Sequence, residues 1–180
     1  LLLAPQIPLL FMGEEYGARE PFLYFTDYSG DLAKAVRDGR RHEFRKFAAF
    51  APDAAQLEIP DPNKESTFLS SRLAADCADA EGQDWWSFYR HLLNLRRSAI
   101  VPRLARARAE GAEPLGVSAL LARWILGDGA KLSLAANFGV HPVAFTPPAG
   151  RRLFACGGIE AAPGGVLPGH SFLAIVSEAR

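Results

Sequence analysis

The sequence predicts an α/β segment over residues 1–104, followed by a small antiparallel β-sandwich over residues 105–180. Three features indicate this fold class, α/β plus all-β. They are a short apolar run at Ile7–Met12, a helical pattern over Asp84–Arg97, and an Asp-Gly turn at Asp128 between two apolar runs. The character of the sequence changes after about Leu104, where short runs punctuated by Gly and Pro replace the longer patterns.

The first half of the chain contains the α/β features. A continuous apolar run that ends at Gly13 is typical of a strand covered on both faces, as in a parallel sheet. Leu1–Ala4 resembles the end of a helix that Pro5 stops. Asp31 can cap a further helix, which Gly39 is expected to divide into two pieces. Residues 51–66 hold three prolines and several Asp and Asn residues, which predicts an irregular surface segment.

The clearest helix is Asp84–Arg97, whose apolar residues recur at i, i+3, i+4 and i+7. Its basic end complements the helix dipole, and Pro102 marks its stop. Ala105–Pro114, rich in Ala, Arg and Glu, is predicted to be a solvated connection. Strands are expected at Ser118–Leu126, Lys131–Phe138, His141–Phe145, Arg151–Ala155 and Ser171–Val176.

Composition limits the partners that we expect. Lys plus Arg equals Asp plus Glu, so no charge excess favours nucleic acid or an anionic membrane surface. Cys77 and Cys156 form no CxxC pair, which indicates free thiols in a reducing compartment. The four histidines show no metal-ligand spacing, and no cofactor or metal is expected. The apolar start lacks the marks of a signal sequence and is too short to span a membrane, so we interpret it as the interior of a larger protein.

Several segments resemble the alpha-amylase superfamily. Ala4-Pro-Gln-Ile-Pro-Leu-Leu-Phe-Met-Gly-Glu-Glu-Tyr-Gly17 resembles its eighth barrel strand, and Trp86-Ser-Phe-Tyr-Arg-His-Leu-Leu-Asn-Leu-Arg-Arg97 resembles its last barrel helix. Glu20–Asp27 and the Ile59-Pro-Asp-Pro62 step are similar to the malto-oligosyltrehalose trehalohydrolase branch in particular. Two further segments, Ala136-Asn-Phe138 and Leu167-Pro-Gly-His-Ser171, resemble the C-terminal β domain of the superfamily.

The resemblance implies a remnant of a (β/α)8 barrel, namely strand eight and its helices, followed by the β domain. It also implies a cytoplasmic, retaining glycoside hydrolase that releases trehalose from maltooligosyl trehalose, an α-1,4-glucan with a trehalose end. The catalytic acids of the superfamily follow strands four, five and seven, and this chain resembles the part after strand seven. A complete barrel needs ~250 residues, which residues 1–104 cannot supply. No catalytic residue is therefore assigned, and the chain alone is expected to be inactive.

The candidate substrate-binding residues follow the apolar run: Glu14, Glu15, Phe22, Tyr24, Phe25 and Asp27. On an extended chain, Glu14 and Glu15 point to opposite sides, so we expect a supporting role for them, with Arg19 as a partner. The aromatic residues are candidates for a stacking platform beneath a glucosyl ring, with Tyr24 and Phe22 facing one way and Phe25 the other. The alternative is that they pack the loop onto the barrel. Asp27 could bind a sugar hydroxyl or cap a turn.

Two other functions remain open at this level. A glycogen branching enzyme has a similar eighth strand, but its usual Met-Gly-Gly-Glu-Phe differs from Met12-Gly-Glu-Glu-Tyr16. A non-catalytic glucan-binding module would need aromatic residues exposed on the β domain, whereas its five aromatic residues follow strand patterns typical of a core. The isolated chain would also expose apolar barrel surface, through which it is expected to self-associate or swap elements.

Overall fold

The computed structural model describes residues 1–48, 59–74, 80–159 and 164–179. The helices in these ranges are α1 (Gly30–Ala48), α2 (Glu65–Ser70) and α3 (Ala80–Leu95). The strands are β1 (Arg108–Pro114), β2 (Ala119–Ile125), β3 (Lys131–Asn137), β4 (Val143–Ala144), β5 (Arg151–Cys156), β6 (Val166–Leu167) and β7 (Ser171–Ser177).

The chain divides into two compact units. The β unit comprises Leu1–Leu10 and Ser87–Arg180, and the loop unit comprises Phe11–Trp86. The expected domain boundary between residues 104 and 105 remains a prediction. Cys77 and residues 51–58 of the predicted irregular segment lie outside the described residues.

The β unit is built on a five-stranded antiparallel sheet of order β1-β2-β3-β7-β5, and β4 pairs with β6 in a second, two-stranded sheet. The β2–β3 hairpin pairs Ile125 with Lys131 around the Asp-Gly turn, as the sequence predicts. The antiparallel β prediction is confirmed, although the second layer of the expected sandwich has only two strands in the described part of the chain.

Both faces of the large sheet are covered at its central strands. On one face, Leu132, Leu134 and Val176 join a core with Leu2, Leu3, Leu92 and Ile100. On the other face, Ala135, Leu173 and Ile175 pack with Leu167 of β6 and with Phe145, which follows β4. Because β3 is covered on both sides, six of its seven residues are buried, and four of these six are apolar.

A β-bulge in β5 directs an additional apolar side chain into the core that contains Leu132 and Leu134. The pairing with β7 shifts between Arg152 and Phe154, so that Leu153 is the extra residue. Adjacent residues of a regular strand face opposite sides, but Leu153 and Phe154 both pack against the core that contains Leu132.

The predicted connection at Ala105–Pro114 is wrong, because residues 108–114 form the edge strand β1. All seven residues of β1 are exposed, so the apolar alternation that identifies a strand is missing. Backbone pairing with β2 holds β1 in place, assisted by ion pairs of Glu113 with Arg123 (2.7 Å) and Glu110 with Lys131 (2.6 Å). Exposed charges of this kind protect a sheet edge from pairing with another chain.

The helices differ from the sequence expectations in detail. α1 runs through Gly39 without interruption, so the expected division into two pieces is wrong. α3 begins at Ala80, before the predicted start at Asp84. After Leu95 it widens into a π-helical turn, Arg96–Ile100, and then tightens into a 3₁₀ turn that contains Pro102.

The predicted strand Ile7–Met12 is also wrong: the described structure contains no strand before β1. A strand of a parallel sheet needs a neighbour to accept and donate its backbone hydrogen bonds, and no other strand pairs with these residues. The segment instead exposes apolar side chains, with Ile7 at 93% and Leu9 at 87% of their full accessible surface.

Candidate functional site

The candidate residues lie in the loop unit and begin with a tight turn. Glu14–Tyr16 forms one turn of 3₁₀ helix between Gly13 (φ 93°) and Gly17 (φ 67°), both in the left-handed region that favours glycine. A Cβ atom on Gly17 would lie 2.7 Å from Cδ1 of Trp85, so the indole ring also requires glycine there. The sequence therefore places two carboxylates on a turn whose backbone has little freedom.

Within this turn the two glutamates have different surroundings. The Glu15 carboxylate accepts a hydrogen bond from the Gly13 backbone N–H at 3.0 Å, whereas Glu14 is exposed. The expected extended conformation is wrong, but the conclusion drawn from it stays valid. Successive residues of a 3₁₀ turn are about 120° apart, so these two carboxylates do not converge on one bond. The expected pairing with Arg19 is wrong, because Arg19 forms its ion pair with Glu81.

Four aromatic rings form what we call the aromatic row: Phe11, Phe22, Phe25 and Phe68. Edge-to-face contacts join Phe11 to Phe22 at 4.9 Å between ring centroids, Phe22 to Phe25 at 6.4 Å, and Phe25 to Phe68 at 5.2 Å. All four rings are exposed to solvent. Two of the predicted platform residues, Phe22 and Phe25, therefore lie together, with Phe11 and Phe68 as members that the sequence did not suggest.

Tyr24 lies against a different partner. The guanidinium group of Arg40 in α1 lies 4.8 Å from the centre of the Tyr24 ring and 4.6 Å from that of Phe44. The expected alternation, with Tyr24 and Phe22 on one side and Phe25 on the other, is wrong. The residues between Phe22 and Tyr28 do not form a strand, so the period-two rule does not apply to them.

Asn63 holds the loop that carries these aromatic residues, and sequence reasoning missed it. Its side-chain oxygen accepts hydrogen bonds from the Thr26 hydroxyl (2.9 Å) and the Tyr28 backbone N–H (3.1 Å). Its side-chain nitrogen donates to the Ala33 carbonyl at 3.1 Å. The backbone carbonyl of the preceding residue, Pro62, accepts a hydrogen bond from the Thr26 backbone N–H at 2.8 Å. The Asn-Pro-rich character of residues 59–63 was the available signal, since side chains of this type order turns.

Asp27 is exposed on the same loop. The side chain of Asn63 holds the turn that precedes α1, because its oxygen accepts a hydrogen bond from the Tyr28 backbone N–H. Use of Asp27 for a ligand hydroxyl remains a prediction.

Two other carboxyl groups of the loop unit, those of Glu20 and Asp61, have lowered pKa values. The pKa of Glu20 is lowered because its own backbone N–H and that of Ala74 donate to the carboxylate, the latter at 3.2 Å. The pKa of Asp61 is lowered by the Asn63 backbone N–H at 3.0 Å and by the nearby Arg37 guanidinium. Hydrogen bonds to the charged form are the cause in both cases, which makes these groups structural anions.

Three further features of the described residues bear on other kinds of site. Among the described residues, no three His, Cys, Asp or Glu side chains come together as metal ligands. The helices of those same residues are all too short or too polar to cross a bilayer. The β unit has an open groove of about 970 Å³ lined by charged side chains and by small apolar residues such as Ala112, Pro148 and Ala149. Two of its acidic residues, Glu113 and Glu110, already pair with Arg123 and Lys131, and no aromatic ring is among the described residues that line it.

Comparison with known proteins identifies relatives of this chain. Residues 107–174 match a family described as a domain of unknown function, DUF3459. Over 86% of the chain, the sequence is 36% identical to a malto-oligosyltrehalose trehalohydrolase of Rhizobium sp.. A Deinococcus radiodurans protein of the same name is 43% identical over 53% of the chain.

The chain is a relative of the malto-oligosyltrehalose trehalohydrolases. The resemblance inferred from the sequence motifs is therefore confirmed, and it covers only part of the length of these relatives. The chain spans 25% of the Rhizobium relative and 16% of the Deinococcus relative.

Solved structures agree with this relationship. A crystal structure described as a putative alpha amylase from Salmonella typhimurium is 38% identical, with a TM-score of 0.81 over 99% of this chain and 29% of that one. A trehalulose synthase, at 16% identity and a TM-score of 0.51, is similar in fold. The relatives of this trehalohydrolase-like chain are thus glycoside hydrolases and other proteins with alpha-amylase-like folds.

Proposed function

We propose that this chain is the C-terminal part of a retaining glycoside hydrolase that cleaves the α-1,4 bond next to the terminal trehalose of maltooligosyl trehalose. The observation that carries the proposal is the 36% identity to a trehalohydrolase over 86% of the chain. The relatives are several times longer than this chain, so the reaction is that of a longer protein.

In this proposal the chain supplies the last part of a (β/α)8 barrel and the β domain after it. Retaining glycosidases need a nucleophilic carboxylate and a carboxylic acid ~5 Å apart on either side of the bond. Glu14 and Glu15 do not suit these roles, because they point in different directions from one 3₁₀ turn and Glu15 bonds the Gly13 N–H. We assign the catalytic carboxylates to the protein upstream of this chain, and no cofactor is required.

The aromatic row supports a substrate-binding role for the loop unit. Glucosyl rings present apolar C–H faces, which exposed aromatic rings cover well, and Phe22 and Phe25 lie on the loop after the Glu14 turn. Exposed carboxylates such as Glu14 and Asp27 accept hydrogen bonds from sugar hydroxyls. The proposed substrate is a neutral α-1,4-glucan oligosaccharide with a trehalose end, which suits a chain of zero net charge. We propose a cytoplasmic role in trehalose formation.

The β unit gives little support to a non-catalytic glucan-binding module. Phe145 is 5% exposed, and Trp124, Phe154 and Phe172 pack against the sheet core, as their strand patterns predict. Phe138 is the exception, at 71% exposure. If residues 105–180 alone were retained on a glucan affinity gel, the binding module would be the better proposal.

The reaction is tested by supplying maltooligosyl trehalose to the full-length protein that contains this chain. We expect trehalose and new reducing ends in equal amounts. A branching enzyme would instead transfer chains and form new branch points without a net gain of reducing ends, which would overturn the proposal.

Substitution of the aromatic row tests the binding role. Phe22→Ala is expected to lower kcat/KM about fivefold, since a stacked ring contributes ~1 kcal/mol to sugar binding. Phe138→Ala is the matched control, because it removes an exposed phenylalanine from the β unit. Equal effects of the two substitutions would contradict a specific role for the row.

A further inference from the structure

Arg96 is a buried cation with an unusual set of partners. Arg96 is the first residue of the π-helical turn that follows α3, and it is only 6% exposed. Its guanidinium group donates hydrogen bonds to the backbone carbonyls of Leu2 (3.0 Å), Gln6 (2.7 Å) and Ala4, with Pro5 at 3.4 Å. Burial lowers the pKa of this guanidinium group. No carboxylate is among the partners that the described structure gives it.

The carbonyls need such a donor because of the local sequence. Leu1–Ala4 makes one turn, with the Ala4 N–H donating to the Leu1 carbonyl, and Pro5 prevents its continuation as a helix. The last carbonyls of a helical turn have no partner within the turn. Leu2 and Leu3 are buried in the core of the β unit, so water is a poor substitute there. Arginine carries five donors in a planar fork, which allows one side chain to satisfy several carbonyls.

This arrangement fixes a segment that leads directly into the candidate site. From Gln6 the chain continues through Ile7–Met12, which has no strand pairing, to the Gly13–Gly17 turn that carries Glu14 and Glu15. Beyond the carbonyls that Arg96 binds, Leu10 also packs against the core of the β unit, three residues before Gly13. A buried charge is costly unless its hydrogen bonds are satisfied, so Arg96 and the segment hold each other in one conformation.

We propose that Arg96 is a positioning residue for the proposed hydrolase: it holds the backbone of Leu1–Gln6, the segment from which the chain continues to the Glu14–Glu15 turn. The inference rests on the proposed function for its effect on catalysis. The effect on the backbone does not depend on that function. Positioning acts through geometry, and small misplacements of binding groups reduce rates strongly.

The test uses three variants of the full-length protein. Arg96→Met keeps much of the side-chain volume and removes every donor. Arg96→Lys keeps the charge but donates from a single nitrogen. Arg97→Met is the matched control, because Arg97 is the next residue, is exposed, and donates a hydrogen bond to the Asn94 side chain at 3.5 Å.

Two readouts are measured at a temperature where each variant is fully folded. We expect kcat/KM of Arg96→Met for maltooligosyl trehalose to fall about 10- to 100-fold, with Arg96→Lys intermediate and Arg97→Met within about twofold of the parent. Hydrogen–deuterium exchange over residues 1–17 should increase in the same order. A merely stabilising role would lower the unfolding midpoint and leave kcat/KM of the folded enzyme unchanged.

The outcomes separate the two proposals. If the parent enzyme releases no trehalose, the proposed function fails, and exchange over residues 1–17 still decides whether Arg96 holds the segment. If the parent is active but Arg96→Met has unchanged kcat/KM and exchange, the positioning role is wrong. If Arg96→Met does not fold, Arg96→Lys carries the test, and parental kinetics in that variant overturn the inference.

Discussion

Single buried polar residues join parts of this fold that the chain brings together from distant positions. Asn137, at 2% exposure, lies at the end of β3 and connects the large sheet to the small one. Its side-chain nitrogen donates to the carbonyls of His141 (2.8 Å), Leu167 (3.2 Å) and Pro168 (2.9 Å). Its oxygen accepts the Gly139 N–H at 3.0 Å. Satisfied networks of this type rigidify a core and penalise any mismatch.

Asn137→Asp tests this network, because it replaces the donor with a carboxylate oxygen that faces carbonyl oxygens. We expect a loss of about 2–4 kcal/mol in the free energy of unfolding, measured with urea. Asn94→Asp on the exposed side of α3 is the control and should change stability by less than about 0.5 kcal/mol. Similar losses in the two variants would contradict the account of Asn137.

Asp61 gives a pH-dependent prediction. Its pKa is lowered in the folded protein, so its contribution to stability is present above the unfolded pKa, ~3.9, and is lost as the pH falls through the folded value. Asp61→Asn should therefore flatten the acid side of the stability profile. Asp27→Asn, a substitution at an exposed position of the same unit, is the control and should leave the stability profile as it is in the parent. Urea midpoints recorded between about pH 2 and 5 would show no difference between these variants if Asp61 were unimportant.

At the scale of elements, turns with close backbone contacts hold the strands in place. Gly157 (φ 76°) and Gly158 (φ 77°) follow β5 and share the left-handed conformation. A Cβ atom on Gly157 would lie 2.2 Å from the His170 carbonyl oxygen, whereas one on Gly158 would meet nothing within 4 Å. The two positions therefore separate backbone strain from steric overlap.

Alanine at each position measures the two effects. Gly158→Ala should cost about 1–2 kcal/mol through φ strain alone. Gly157→Ala should cost about 1–3 kcal/mol more, because the strand end must move away from the methyl group. Unfolding free energies from urea titration would contradict this account if the two variants were equally stable.

Elements with their own internal signal were predictable from the sequence, and those that depend on a partner were not. The β2–β3 hairpin follows from an Asp-Gly turn between apolar runs, and its pairing is observed. β1 shows no alternation, since ladder bonds and the Glu110 and Glu113 ion pairs hold it. Ile7–Met12 has the composition of a buried strand, but pairing needs a neighbouring strand. The candidate site was predictable as a list of residue types, whereas its grouping depends on Asn63 and on α2, which the sequence did not indicate.

At the scale of the whole molecule, the exposed apolar segment predicts association. Ile7 and Leu9 are almost fully exposed, and exposed apolar surface drives proteins together. We expect the 180-residue chain to elute from a size-exclusion column above its monomer mass of 19.5 kDa. Ile7→Asp with Leu9→Asp should shift it toward the monomer, whereas Val117→Asp, at an exposed site of the β unit, should not. A parent chain that elutes as a monomer at all concentrations would refute this prediction.

We propose that this chain binds and positions the substrate, and that the acid chemistry lies in a longer protein, upstream of this chain. The most direct test measures trehalose release from maltooligosyl trehalose by material whose intact mass matches the 180 residues, beside the full-length protein. We expect trehalose from the full-length protein and none from the 180-residue chain. Trehalose release at the mass of the short chain would contradict it and would assign the acid chemistry to Glu14, Glu15 or Asp27.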